Sequence, residues 1–144
     1  MRLHLPLLVL AILSCRPTGA VLSPVDFRRS LSGGDWELVE LRGQAAAVGA
    51  GGRRATLVFD ADSARVSGFA GCNRYFSTYT LDDDDPELRF GPIGMTRMAC
   101  SEGMDLERQP GEALSQTTRY RVEDTRLILS DASSPVAVFA RGAR

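Results

Sequence analysis

Apolar residues follow two regimes along this chain. Leu3 to Leu13 form one long apolar run in which His4 is the sole polar residue, whereas from residue 35 onward apolar and polar residues alternate in short bursts between turn residues. Alternation at a period of two predicts half-buried strands. The first covers residues 35–42, where Trp36, Leu38 and Glu40 alternate with Glu37, Val39 and Leu41. Further strands are predicted over 55–59, 65–70, 75–81, 87–90 with a continuation toward Ile93, 118–123, 126–130 and 136–141. Residues 43–52 are small and turn-like, and Asp60-Ala61-Asp62-Ser63 has the composition of a hairpin turn. Eight short strands joined mostly by hairpin-length turns predict a mainly β fold, a small antiparallel barrel or curled sheet. Residues 101–114 break the pattern and predict the single helix, capped by Ser101, with Met104, Leu106 and Leu114 covering one side. Pro110-Gly111 inside it predicts a break or kink, because proline removes an interior hydrogen bond. Such a helix would plug one end of the barrel or cover an edge.

The opening run has a different meaning. It follows Arg2 and is eleven residues long, short of the roughly 20 a spanning helix needs but matching a signal h-region. Ile12-Leu13-Ser14-Cys15 resembles a bacterial lipobox. On that reading residues 1–14 are a lipoprotein signal peptide and Cys15 is the lipid-modified first residue. Thr18-Gly19-Ala20 offers the alternative, ordinary cleavage that removes residues 1–20 and Cys15 with them. Either cut sends the chain out of the cytoplasm, to a lipid-anchored place in the cell envelope or to a soluble periplasmic or secreted one. Residues 15–34 then read as a polar linker and 35–141 as one domain, long enough for a core of its own.

Cysteine usage agrees with export. Of three cysteines, loss or lipidation of Cys15 leaves Cys72 and Cys100 to pair, as expected only in an oxidising compartment. Closing that loop would stabilise the fold by about 3.5 kcal/mol in the chain-entropy picture. Removing residues 1–14 takes away one arginine and leaves a net charge of −2, so no basic field invites nucleic acid. All cations are arginines and none is lysine, a uniformity that reads as codon bias rather than as many guanidinium functions.

Composition also narrows the chemistry. The one histidine, His4, lies in the signal segment, so the mature chain cannot assemble a Ser-His-Asp or Cys-His nucleophile. Histidine-dependent zinc or copper sites are out of reach for the same reason, and two remaining cysteines cannot make a four-thiolate site. Without lysine there is neither a Schiff-base amine nor a P-loop. The expectation is a non-enzymatic protein without cofactor or metal.

Three segments carry a family resemblance: SGFAGCNRYFSTYTL from Ser67, LRFGPIGMTRMAC from Leu88, and TRYRVEDTRLILSD from Thr118. With the early Trp36 strand they resemble the META-domain, or HslJ-like, family over residues 35–141. The most specific positions are Trp36, Gly71, Cys72, Asn73 and Tyr75, then Thr96, Arg97, Met98 and Cys100. The resemblance implies a small β-barrel with a packed helix, and an envelope lipoprotein linked to stress and antibiotic tolerance. It implies no catalytic residues. Ser77, where the family commonly has glycine, and Pro110-Gly111 within the helix depart from the pattern.

Each candidate site has a plain counterpart. Gly71-Cys72-Asn73 could contact a ligand, but Asn73 more simply satisfies nearby backbone groups at a corner that only Gly71 can turn. Residues 82–87, four aspartates then Pro86-Glu87, could bind calcium, yet lack EF-hand spacing and read as a solvated turn. Met95, Met98 and Met104 could form an adaptable surface, though core filling beside the helix is the simpler expectation. If Met95 and Met98 face inward, Arg97 becomes a buried partner for a carboxylate or ligand anion. The partners expected are the membrane, through lipidated Cys15, and an envelope protein or small molecule. The alternatives are a small secreted inhibitor of an envelope hydrolase, with residues 82–87 as its probe, and a carboxylate-based hydrolase.

Overall fold

Alternation in the strands becomes the inside and outside of a closed surface. The structure, a computed structural model, describes residues 24–31, 34–82 and 84–142, with side chains from residue 28 onward. The signal segment and Cys15 lie outside the described residues. In chain order the elements are α1 (Pro24–Leu31), β1 (Trp36–Leu41), β2 (Gln44–Ala45), β3 (Thr56–Asp60), β4 (Arg65–Phe69), β5 (Arg74–Leu81), β6 (Leu88–Phe90) and β7 (Gly94–Met95). They continue with α2 (Arg108–Gln116), β8 (Arg119–Glu123), β9 (Arg126–Ser130) and β10 (Pro135–Arg141).

Eight strands run in the order β6-β5-β4-β3-β1-β10-β9-β8, every neighbouring pair antiparallel, with β2 appended to β1 and β7 to β5. The two ends of that order meet. Glu87 bridges Arg119, the Leu88 N–H donates to the Thr118 carbonyl at 3.1 Å, and the Tyr120 N–H donates to the Pro86 carbonyl at 3.0 Å. The sheet is thus a nearly closed barrel, which leaves few strand edges exposed to other chains.

The inward positions build one core. Tyr75, Ser77 and Tyr79 of β5 point inside while Arg74, Phe76 and Thr78 point out. β1 needs a correction of phase. The register with β10 shifts between Leu38 and Glu40, and this bulge turns Leu41 rather than Glu40 toward the core. Glu40 faces out and pairs with Arg126 at 3.8 Å. Trp36, Leu57, Leu88, Leu127, Leu129 and Phe139 are fully buried.

Helices cover both mouths, and here the expectations from the pattern fail twice. The segment read as linker holds α1, which ends with Leu31 fully buried in the core. Beside it the Arg141 guanidinium donates to the Ser30 carbonyl and lies 4.5 Å over the Trp36 ring. At the opposite mouth the predicted helix starts later than residue 101. Ser101 is exposed and caps nothing; a 3-10 turn, Met104–Leu106, begins after Gly103 and leads into α2. Nor does Pro110 break α2. It sits in the first turn, where backbone N–H groups have no intrahelical acceptor to lose, and is buried together with Ala113 and Leu114.

Candidate functional site

The two motifs that stand out in the sequence meet at one corner of the barrel. β4 ends at Phe69 and β5 starts at Arg74, and Gly71 turns between them with φ +119°, a conformation that a side chain would strain. The Gly71 carbonyl accepts the Ala50 N–H at 2.7 Å. Gly103 packs against the same carbonyl with φ +82°, where an added Cβ would collide with it. Two separate stretches of backbone, at Ala50 and at Gly103, therefore converge on Gly71.

Asn73 is the hub of the corner and is 1% exposed. Its Oδ1 accepts the Met98 N–H at 2.7 Å and the Thr96 hydroxyl at 2.8 Å. Its Nδ2 donates to the Met98 carbonyl at 3.0 Å and to the Glu107 carboxylate. Thr96 returns the contact, its Oγ1 accepting the Arg74 N–H at 3.1 Å while its own N–H donates to the Arg74 carbonyl at 3.0 Å. Cys72 and Cys100 are bonded as a disulfide with Cα atoms 5.9 Å apart, within the 4.4–6.8 Å usual for such bridges. Asparagine suits this place because one side chain offers both donor and acceptor. The corner is a clamp that binds residues 94–107 to the barrel.

Tyr75 continues inward from it. Its hydroxyl donates to the Thr56 carbonyl at 2.6 Å, and burial pushes the phenol far above its ordinary range, so it stays neutral. Trp36, the other aromatic of the pattern, is fully buried, and its indole N–H has no hydrogen-bond partner among the described residues. Ser77 is buried in β5 and donates to the Gly91 carbonyl at 2.9 Å. It packs a strand interior rather than altering a turn.

The remaining candidates separate from the corner or change meaning. Arg97 and its neighbour Met98 are both exposed, and Arg97 makes no ion pair among the described residues. Met98 and Met104 are 59% and 50% exposed and do not fill the core; Met95 alone packs against it. Their loop is pinned through backbone and polar groups, which leaves those side chains outside. In residues 82–87 the Asp82 carboxylate accepts the N–H groups of Asp84 and Asp85 at 2.8 and 3.0 Å, which hold its pKa below the ordinary carboxylate value. That is a self-capped turn, and no group of three metal-ligating side chains occurs among the described residues. Sequence reading missed Glu107 and Gly103. Neither belongs to a motif; only the fold brings them to Asn73 and Gly71.

The model of the META domain matches residues 29–143. A solved structure of a protein from Burkholderia xenovorans is similar, with 29% identity and a TM-score of 0.64 over 90% of this chain and 98% of that one. A DUF4847-family protein from Bacteroides vulgatus shares the fold at 16% identity, with a TM-score of 0.56 over 82% of this chain and 99% of its own. No curated protein matches the chain.

Proposed function

Since this chain belongs to the META-domain family, we propose that it is a non-enzymatic, lipid-anchored protein of the bacterial cell envelope. It is held to the membrane through Cys15 and serves envelope maintenance or stress and antibiotic tolerance by contact with an envelope protein or small molecule. The carrying observation is how the motif residues spend their polar atoms. Both ends of the Asn73 amide, the Thr96 hydroxyl and the Tyr75 hydroxyl are engaged in holding the fold. Groups so engaged are poorly placed to attack, protonate or ligate a substrate. The lack of histidine after His4 and of any lysine supports the same reading. The Cys72–Cys100 bridge supports an oxidising compartment.

Anchoring by a modified bacterial N-terminus requires more than one acyl chain, because a single chain holds only marginally. The test is crosslinking in intact envelopes followed by recovery of the protein, with Cys15→Ser as the companion. The expected outcome is capture of envelope-assembly machinery by the parent protein, and release from membranes or stalled processing in the variant. Near-equal recovery of one hydrolase would favour the inhibitor instead. A mature N-terminus at Val21 would refute the anchor.

A further inference from the structure

One concave surface beside the corner collects opposite charges without pairing them. It encloses about 640 Å³, a size typical of small-ligand sites. Its lining includes three basic residues, Arg53, Arg54 and Arg74, and two acidic ones, Asp35 and Glu37. Among the described residues none of these five makes an ion pair. Oppositely charged side chains that share a groove yet stay unpaired are available to a third party.

The groove is also held in shape. Arg53 is stacked 4.0 Å over the Phe69 ring, and Phe69 and Val58 give the lining an apolar part. Arg74 springs from a backbone bonded on both sides to Thr96. Arg54 reaches the Leu38 carbonyl only at 3.4 Å, which leaves most of its five donors free. Exposed Met98 lines the groove too, an adaptable apolar contact. Side chains rooted in advance lose less freedom on binding.

We infer that this groove binds a short peptide with both a free carboxylate and a free ammonium group. The arginines take the carboxylate through forked, charge-assisted hydrogen bonds. Asp35 and Glu37 take the ammonium, and an extended backbone between them lies along Val58 and Met98. The inference deepens the small-molecule contact proposed above and rests on that reading for its setting in the envelope. The binding itself does not depend on anchoring.

The experiment uses the full chain exported as the Cys15→Ser variant and titrated by calorimetry and by amide NMR shifts. The probe is the tripeptide Ala-Glu-Ala with free termini. Shifts are expected at Glu37, Arg53, Arg54 and Arg74. Amidating the peptide's C-terminus and Arg74→Ala should each weaken binding roughly ten- to a hundredfold, the range of a charge-assisted hydrogen bond, and the two losses should not add. Acetylating its N-terminus and Glu37→Gln should behave as a second such pair. Both side chains lie outside the core, so unchanged thermal unfolding of the variants separates lost binding from lost fold. Equal affinity for the doubly blocked peptide would overturn the inference. So would shifts elsewhere on the barrel, or equal displacement of the peptide by inorganic phosphate or by anionic vesicles. Failure of Cys15 to anchor the protein in cells would leave these outcomes unaffected, so the two proposals fail separately.

Discussion

Asn73 and Cys72 hold the same loop by different means, and that shared task makes a quantitative expectation. The asparagine amide satisfies the N–H and carbonyl of Met98 and the Thr96 hydroxyl, while the disulfide fixes the loop at Cys100. Asn73→Ala leaves buried polar groups without partners, at about 1–3 kcal/mol for each one stranded. Cys72→Ser removes the loop-closure constraint, on the order of 3 kcal/mol. Once either clamp is gone, residues 94–107 can detach, and the second loss then removes contacts already weakened. Chemical denaturation of both single variants and the double should therefore show a combined loss smaller than the sum. Strict additivity would mean that the two residues stabilise separate parts of the protein. Arg97, beside them in sequence, has no such role because its side chain is in solvent.

At the scale of elements, composition misjudged both helices, each for a local reason. Pro110-Gly111 looks like a breaker, yet a proline in the first turn costs no helical hydrogen bond. Pro110 is instead buried, and lines a small cavity together with Leu38, Ala55 and Ala70. α1 reads as linker because its eight residues, PVDFRRSL, scatter a few apolar side chains among charged and polar ones. Its contribution comes through Leu31, fully buried at the other mouth. Leu31→Ala should cost about 2–5 kcal/mol, as for other buried leucines. A thermal or denaturant midpoint unchanged by that substitution would return the segment to the status of a tether.

For the whole molecule, the distribution of titrating groups sets the pH profile. Asp60 is held below its ordinary pKa first by the Ser63 side chain and backbone, Asp82 by the Asp84 and Asp85 N–H groups, and Asp131 by the N–H groups of Ser133 and Ser134. A carboxylate depressed in the folded state contributes stability above its unfolded value, near 3.8 for these aspartates. That contribution disappears as pH falls through the lower folded value. No imidazole follows His4 to titrate between pH 5 and 8. Denaturation midpoints should therefore be nearly flat across that range and begin to fall below about pH 4. Asp60→Asn combined with Asp131→Asn should flatten the acid limb while slightly lowering stability at neutral pH. A midpoint that falls between pH 7 and 5 would contradict this account.

The strands and their faces were legible because a half-buried strand writes a period of two into its own residues. β5 shows it at every position from Arg74 to Thr80. The pairing of Cys72 with Cys100 followed from counting, and the family from motifs local enough to be read in a line. Closure of the barrel between β6 and β8 could not be read that way, since the bridge joins Glu87 to Arg119 across the helix. The bulge that turns Leu41 inward depends on the register with β10, which belongs to two strands at once. Glu107 and Gly103 became parts of the corner only when the chain folded back on Gly71 and Asn73. Asp35, Glu37, Arg53, Arg54 and Arg74 likewise share a groove although no spacing links them. A residue's own period and propensity are encoded locally; which distant side chains share its surface is decided by how the strands curl and close.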